Sequence, residues 1–149
     1  MKIICIGKVK EEYFKNGIKE YQTRLSKYTK LDIIELNDYA LTPSLNKQKE
    51  GEEILKNIKE KDYVITLEIN GKKYNSKDLS DRINKIQIIN SNIVFVIGGS
   101  DGLSDEVKKR SNEAISFSDL TFPHQLFRVM LLEQIYRSYK ILNNESYHK

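Results

Sequence analysis

Five short apolar runs are spread along the chain, each followed by a stretch long enough for a helix, and no two of them are joined by a two-residue turn. The runs are Lys2–Ile6, Leu31–Leu36, Tyr63–Ile69, Ile93–Ile97 and Ala114–Ser118. Strands that alternate with helices cannot pair as hairpins; they need crossovers. The pattern therefore predicts an α/β fold, a mainly parallel sheet with helices on both faces.

The intervening segments carry helical signals. Tyr13, Phe14, Ile18, Tyr21 and Leu25 recur at helical spacing, and Ile54, Leu55 and Ile58 make a narrow stripe in a helix expected over Lys47–Glu60. Residues 37–46, with Pro43, read as a loop. Ser76 is placed as the cap of a helix to about Ile89, and Ser104, Asp105 and Glu106 open another. Asn70-Gly71 ends the third strand, and a last helix runs from Pro123 to about Leu142.

The 149 residues suit a single domain, 1–149, able to bury its own core. Cys5 is the only cysteine, which excludes a disulfide framework and a thiolate metal site and suits a reducing, cytoplasmic setting. No apolar run approaches the ~18 residues of a membrane span, and the opening run is too short for a signal peptide. The formal charge of +4 is unevenly spread, +5 over residues 1–30 and −1 over the rest. A basic edge of this kind permits a polyanion such as RNA without requiring one.

The run Val94–Ile97 stops on Gly98-Gly99-Ser100-Asp101-Gly102, just before the helix opened by Ser104. Such a strand–turn–helix brings bare backbone up to a nucleotide-like ligand, or serves only as a tight turn. In open parallel sheets ligands sit beyond the carboxyl ends of the strands, which here are Leu67–Asn70, Gly98–Gly102 and Ser118–Phe122. The last helix is apolar over more than one face, through Leu126, Phe127, Val129, Met130, Leu131, Leu132, Ile135, Tyr136 and Tyr139. One side would pack on the sheet and the other on a second copy of the chain, so a homodimer is expected.

No Ser/His/Asp or Cys/His arrangement is present, and His124 and His148 lack metal-ligand spacing, so no metal is expected. Polar residues gather late in the chain: Thr121, His124, Gln125 and Arg128, then Glu133 and Arg137 at i, i+4, and finally Tyr147-His148-Lys149.

The segments Val-Ile-Gly-Gly-Ser-Asp-Gly-Leu (96–103), Ser-Phe-Ser-Asp-Leu-Thr-Phe-Pro-His-Gln-Leu (116–126), Arg-Val-Met-Leu-Leu-Glu-Gln-Ile-Tyr-Arg (128–137) and the terminal Tyr-His-Lys closely resemble the ribosomal RNA large subunit methyltransferase H family of the SPOUT class. The resemblance spans the whole chain. It implies a C-terminal trefoil knot, a homodimer, S-adenosyl-L-methionine as methyl donor, and methylation of N3 of a pseudouridine in helix 69 of 23S rRNA on the assembled ribosome. By position it implies donor-binding residues at Leu67, Gly98, Phe117, Ser118, Asp119, Leu120, Thr121 and Phe122.

For the reaction, the resemblance points to Arg137, Tyr147, His148 and Lys149. An imide nitrogen is a poor nucleophile at neutral pH and gains from a base or from a cation beside the developing charge. His148 suits the first role and Arg137 or Lys149 the second; alternatively the tail aligns the nucleotide, with Tyr147 stacking on a base. Arg128 either positions RNA or caps the fold internally, and His124 is read as structural. Two other functions stay open: a related knotted methyltransferase acting elsewhere, for example on a tRNA ribose, and a non-catalytic nucleotide- or ribosome-binding module.

Overall fold

The computed structural model describes residues 1–148. In chain order the elements are β1 (Lys2–Ile6), α1 (Glu12–Leu25), β2 (Asp32–Leu36), α2 (Pro43–Lys56), β3 (Tyr63–Lys73), α3 (Ser76–Ile89), β4 (Ile93–Ile97), α4 (Asp105–Arg110), β5 (Glu113–Ser116) and α5 (His124–Leu142). The strands form one sheet in the order β2-β1-β4-β3-β5, and every pairing is parallel.

Alternation along the central strands divides the core in two. Ile3, Cys5, Ile65, Ile93, Phe95 and Ile97 point to one face, where they meet Leu25 of α1, Leu79, Ile83 and Ile86 of α3, and Leu131, Leu132, Ile135 and Tyr136 of α5. Ile4, Ile6, Val64, Val94 and Val96 point to the other, against Ile54 of α2 and Val107 of α4. This is the expected parallel sheet with helices on both faces; each fully buried Ile or Leu contributes roughly 1.5–3 kcal/mol by burial. Cys5 lies at the centre with no exposed surface, its Sγ 3.5 Å from the Ile34 carbonyl oxygen, and burial pushes its thiol up to about 11.

Several boundaries differ from expectation for local reasons. Helix α2 begins at Pro43, not Lys47, because proline occupies its first turn, where a missing N–H costs nothing. The residues read as a loop thus supply a turn of helix, including the buried Asn46. The cap of α3 is Asn75, whose side chain accepts from the Asp78 N–H, while Ser104 caps α4 as expected. Strand β3 does not end at Asn70-Gly71. It bulges between Leu67 and Lys72, both of which pair with Ile115, and continues to Lys73. A Cβ on Gly71 would come within 2.5 Å of the Ile115 backbone, so this glycine serves a close approach of two strands and not a turn.

The expectation for α5 needs a larger correction. Leu131, Leu132, Ile135, Tyr136 and Tyr139 are all buried within one chain, because α5 lies on the sheet with α1 and α3 packed beside it. Much of its apolar breadth is satisfied internally. Ile135 is fully buried, and the apolar side chains left exposed or partly exposed are Leu126, Phe127, Val129 and Met130 on its first half and Ile141 and Leu142 at its end.

Candidate donor cavity and polar tail

The carboxyl ends of β3, β4 and β5 frame a cavity of about 700 Å³, within the usual range for a small-molecule site. Leu67 and Glu68 enter it from β3, and Gly98, Gly99, Ser100 and Gly102 from the loop after β4. Phe117, Ser118, Leu120, Thr121 and Phe122 enter from the segment after β5. Seven of the eight donor-binding residues implied by the resemblance therefore share one cavity. Asp119 does not line it; its exposed carboxylate meets Lys73 Nζ at 2.5 Å.

The segment after β5 is shaped by its own hydrogen bonds. Ser116 Oγ donates to the Ser118 carbonyl at 3.1 Å, and Ser118 Oγ accepts from the Leu120 N–H at 3.0 Å. Phe117 and Phe122 both rest on Phe127 of α5, the first edge-on at 5.0 Å between centroids and the second stacked at 6.1 Å. Aromatic walls beside hydroxyls and free backbone groups match a ligand with a flat heteroaromatic part and a polar part.

The glycines act through their own neighbours. A Cβ on Gly98 would meet Leu103 at 2.9 Å, and one on Gly99 would meet Glu50 Oε2 at 2.7 Å; only Gly102, at φ +83°, needs the left-handed region. The Gly102 N–H closes the turn onto the Gly99 carbonyl at 3.1 Å. From below, Asn46 Nδ2 donates to Asp101 at 2.7 Å, and Glu50, 3% exposed, lies beneath Gly99 with Oε2 unpartnered. Desolvation, followed by the charges of Asp38, Asp101 and Glu53, raises the Glu50 pKa. Sequence reasoning missed Asn46 and Glu50. The available signal was Gly51 inside a helix, which lets α2 pack against Ser104.

Tyr147 and His148 do not enter this cavity. Tyr147 lies edge-on to Tyr136 at 5.0 Å, donates to Glu133 at 3.1 Å and sits under the Arg137 guanidinium at 4.7 Å. Burial raises the Tyr147 pKa, and the hydrogen bond to Tyr21 acts in the same direction. Glu133 also accepts from Arg137 Nε at 3.0 Å and so orients that arginine. Arg137 can only donate, so its 3.3 Å contact with His148 Nδ1 occupies the ring's lone pair. His148 lines a second cavity of about 850 Å³, with Tyr21, Met130 and Glu133; the two cavities share Ile115, Ser116 and Phe117 as a common wall. Lys149 lies outside the described residues.

Arg128 caps the fold internally. It is 2% exposed, with NH2 at 2.7 Å from the Ile6 carbonyl and 2.6 Å from that of Gly7, and NH1 at 2.6 Å from Glu35. His124 is half-buried on the wall of the donor cavity, its pKa lowered by desolvation and then by Arg128. Among the described residues no group of three or more His, Cys, Asp or Glu is placed to hold a metal ion, and no helix is long and apolar enough to cross a membrane.

Comparison with known proteins shows the family. A family model described as "Predicted SPOUT methyltransferase" matches residues 1–148. The chain is 53% identical to the ribosomal RNA large subunit methyltransferase H of Clostridium botulinum (strain Eklund 17B / Type B), covering 99% of this chain and 98% of that protein. It is 54% identical to the protein of the same name from Pediococcus pentosaceus, covering 100% and 99%. The chain belongs to the ribosomal RNA large subunit methyltransferase H family. A solved structure of a probable methylase family protein from Haemophilus influenzae Rd KW20 shares the fold at TM-score 0.59 and 12% identity, over 99% of this chain and 70% of that one. As a member of the SPOUT class, the chain is implied to knot its C-terminal part, the region whose loops after β4 and β5 frame the cavity.

Proposed function

We propose that this chain, a single domain, is a methyltransferase of large-subunit ribosomal RNA that uses S-adenosyl-L-methionine and acts on N3 of a pseudouridine in helix 69 of 23S rRNA, in the cytoplasm and on the assembled ribosome. The observation that carries the reading is the meeting of Leu67, Gly98 and the Phe117–Phe122 segment in one cavity, in a chain over half identical to named rRNA methyltransferases. The lining fits the donor: Phe117, Phe122 and Leu67 offer apolar walls for adenine, and Ser118 and Thr121 offer hydroxyls. Bound there, the donor supplies a methyl group already activated by a sulfonium.

The residues then have to position the acceptor and manage its proton. Arg137, held by Glu133, keeps a fixed positive charge beside Tyr147 and His148, suited to stabilising the negative charge on a deprotonated imide. For His148 to accept the proton, the Arg137 contact at Nδ1 must be released when the nucleotide enters. Lys149 is assigned by position to the same group.

A homodimer is supported by part of the apolar set first expected, the first half of α5. Leu126 and the partly exposed Val129 and Met130 form the uncovered apolar part of α5, next to the tail cluster. A partner seated there would cover them and bring a second chain to the wall that the two cavities share.

The test is mass mapping of 23S rRNA from cells lacking the gene, before and after adding the purified protein and S-adenosyl-L-methionine to their ribosomes. A gain of one methyl at the helix 69 pseudouridine is expected. Methylation of tRNA instead, or donor binding with no methylated RNA, would favour the related enzyme or the non-catalytic module.

A further inference from the structure

Beside the donor cavity lies another, of about 600 Å³, between the loop after β1 and the first turn of α5. The two share Gly99, Ser100, Pro123 and His124 as a wall. The charged side chains lining the second are Lys8, Lys10 and Arg128 against Asp38 alone. Its position was not anticipated from the basic edge of the sequence, although Lys8 and Lys10 belong to that edge.

The cavity is built, not incidental. Gln125 Oε1 accepts from the backbone N–H groups of Lys10 at 2.7 Å and Glu11 at 3.2 Å, and Glu35 Oε1 accepts from the Val9 N–H at 3.0 Å. The loop carrying both lysines is thereby fixed by groups that also position Arg128, since Glu35 takes the Arg128 contact. Neither lysine forms an ion pair among the described residues. Arg128 is 2% exposed, lines the cavity and has an unpartnered buried Nε. Helix α5 opens beside it with Pro123 as cap and no side-chain acceptor for its first N–H groups. Two exposed lysines on an anchored loop, a buried guanidinium and an uncapped helix end together favour an anion.

We propose that this cavity holds a backbone phosphate of the acceptor RNA, next to the nucleotide that enters beside the donor. The proposal rests on the reading of the chain as an RNA methyltransferase. A phosphate is the anion an RNA brings to every nucleotide, and one held across the Gly99–Ser100 and Pro123–His124 wall fixes the strand's register against the donor without reading its sequence. The donor's own carboxylate is the other possible source of the same chemistry, so the two must be separated by measurement.

The experiment compares wild type, Lys8→Gln/Lys10→Gln, Asp38→Asn, and a control with the same charge loss on exposed residues elsewhere, Lys56→Gln/Lys61→Gln. Donor affinity is read by calorimetry, and ribosome methylation and RNA binding are read at several salt concentrations. The double lysine variant is expected to bind the donor like wild type, to raise KM for ribosomes about tenfold, and to lower the slope of log affinity against log salt by about one. Asp38→Asn should tighten RNA binding, and the control should match wild type. Lost donor affinity in the lysine variant would assign the cavity to the donor's carboxylate and overturn the proposal, as would an unchanged KM and salt slope, or equal effects in the control. Failure of wild type to methylate ribosomal RNA would instead overturn the reading beneath it.

Discussion

The Arg128 guanidinium donates to the Ile6 carbonyl at 2.7 Å, across 122 positions of sequence. It thereby closes the carboxyl end of β1, and the same nitrogen reaches Gly7. Replacing Arg128 with Leu would leave both carbonyls without a partner at a buried site, at a cost of about 3 kcal/mol. Urea unfolding should show that loss, with Arg128→Lys recovering part of it. A Leu variant as stable as wild type would mean that water or another donor replaces the guanidinium.

Gly71→Ala forces a Cβ into the Ile115 backbone at 2.5 Å and the Ala114 carbonyl carbon at 2.8 Å. Backbone cannot yield as a side chain does, so β3 must pull away from β5 and carry Glu68, Ile69 and Asn70 out of the cavity wall. The expected outcome is a lower Tm together with weaker donor binding. Gly98→Ala meets only the Leu103 side chain and a more distant backbone carbon, and should be the milder change. Equal effects of the two substitutions would show that the bulge is not what shapes the wall.

Buried Glu50 makes stability depend on pH. Its pKa in the folded chain lies above the ordinary 4.5, so the fold binds the proton more tightly than the unfolded chain does. The contribution of Glu50 is therefore complete below 4.5 and is lost in part as pH rises through the raised value. Glu50→Gln removes that loss: its Tm should match wild type at acid pH and exceed it at neutral pH. A gap that does not change with pH would mean that Glu50 ionises in the fold as it does in water.

The tail is tested by removing residues 147–149. Donor affinity should stay within about threefold, under ~1 kcal/mol, because Tyr147 and His148 lie outside the donor cavity, while ribosome methylation falls by orders of magnitude. His148→Ala separates two roles. Loss of a base is partly rescued at alkaline pH, where the imide ionises unaided, and loss of alignment is not. Normal methylation by the truncated protein would remove the tail from the reaction.

Met130→Glu places a charge on the partly exposed part of α5 and should convert dimer to monomer in sedimentation without unfolding the chain. Ile135→Lys would instead introduce a charge into the fully buried core and reports on folding, not assembly. A stable dimer of the Met130 variant would move the interface elsewhere.

Much of this was legible in the residues. Strands such as Ile93–Ile97 are buried on both faces and so read as unbroken apolar runs, and Ser104 announces its helix by capping it. The donor cavity follows from strand order, because loops after parallel strands share an edge. What stayed hidden depends on neighbours distant in sequence. Gly71 looks like a turn until Ile115 is seen against it, and how much of the apolar breadth of α5 is core shows only once α1 and α3 are placed beside it. Glu50 and Asn46 look like solvent-facing residues of a polar helix, since only Gly51 hints locally at the face that lies under the loop after β4.

The pairing of β1 with β4 sets Lys2 opposite Val94. That contact spans most of the chain, and closing so long a loop must precede any reward from the centre of the sheet. During synthesis β1 and β2 can meet early, but the strand that belongs between β1 and β3 arrives only after some ninety residues, and α5 later still. The proposed donor cavity, hung on β3, β4 and β5, is therefore among the last parts of the molecule to form.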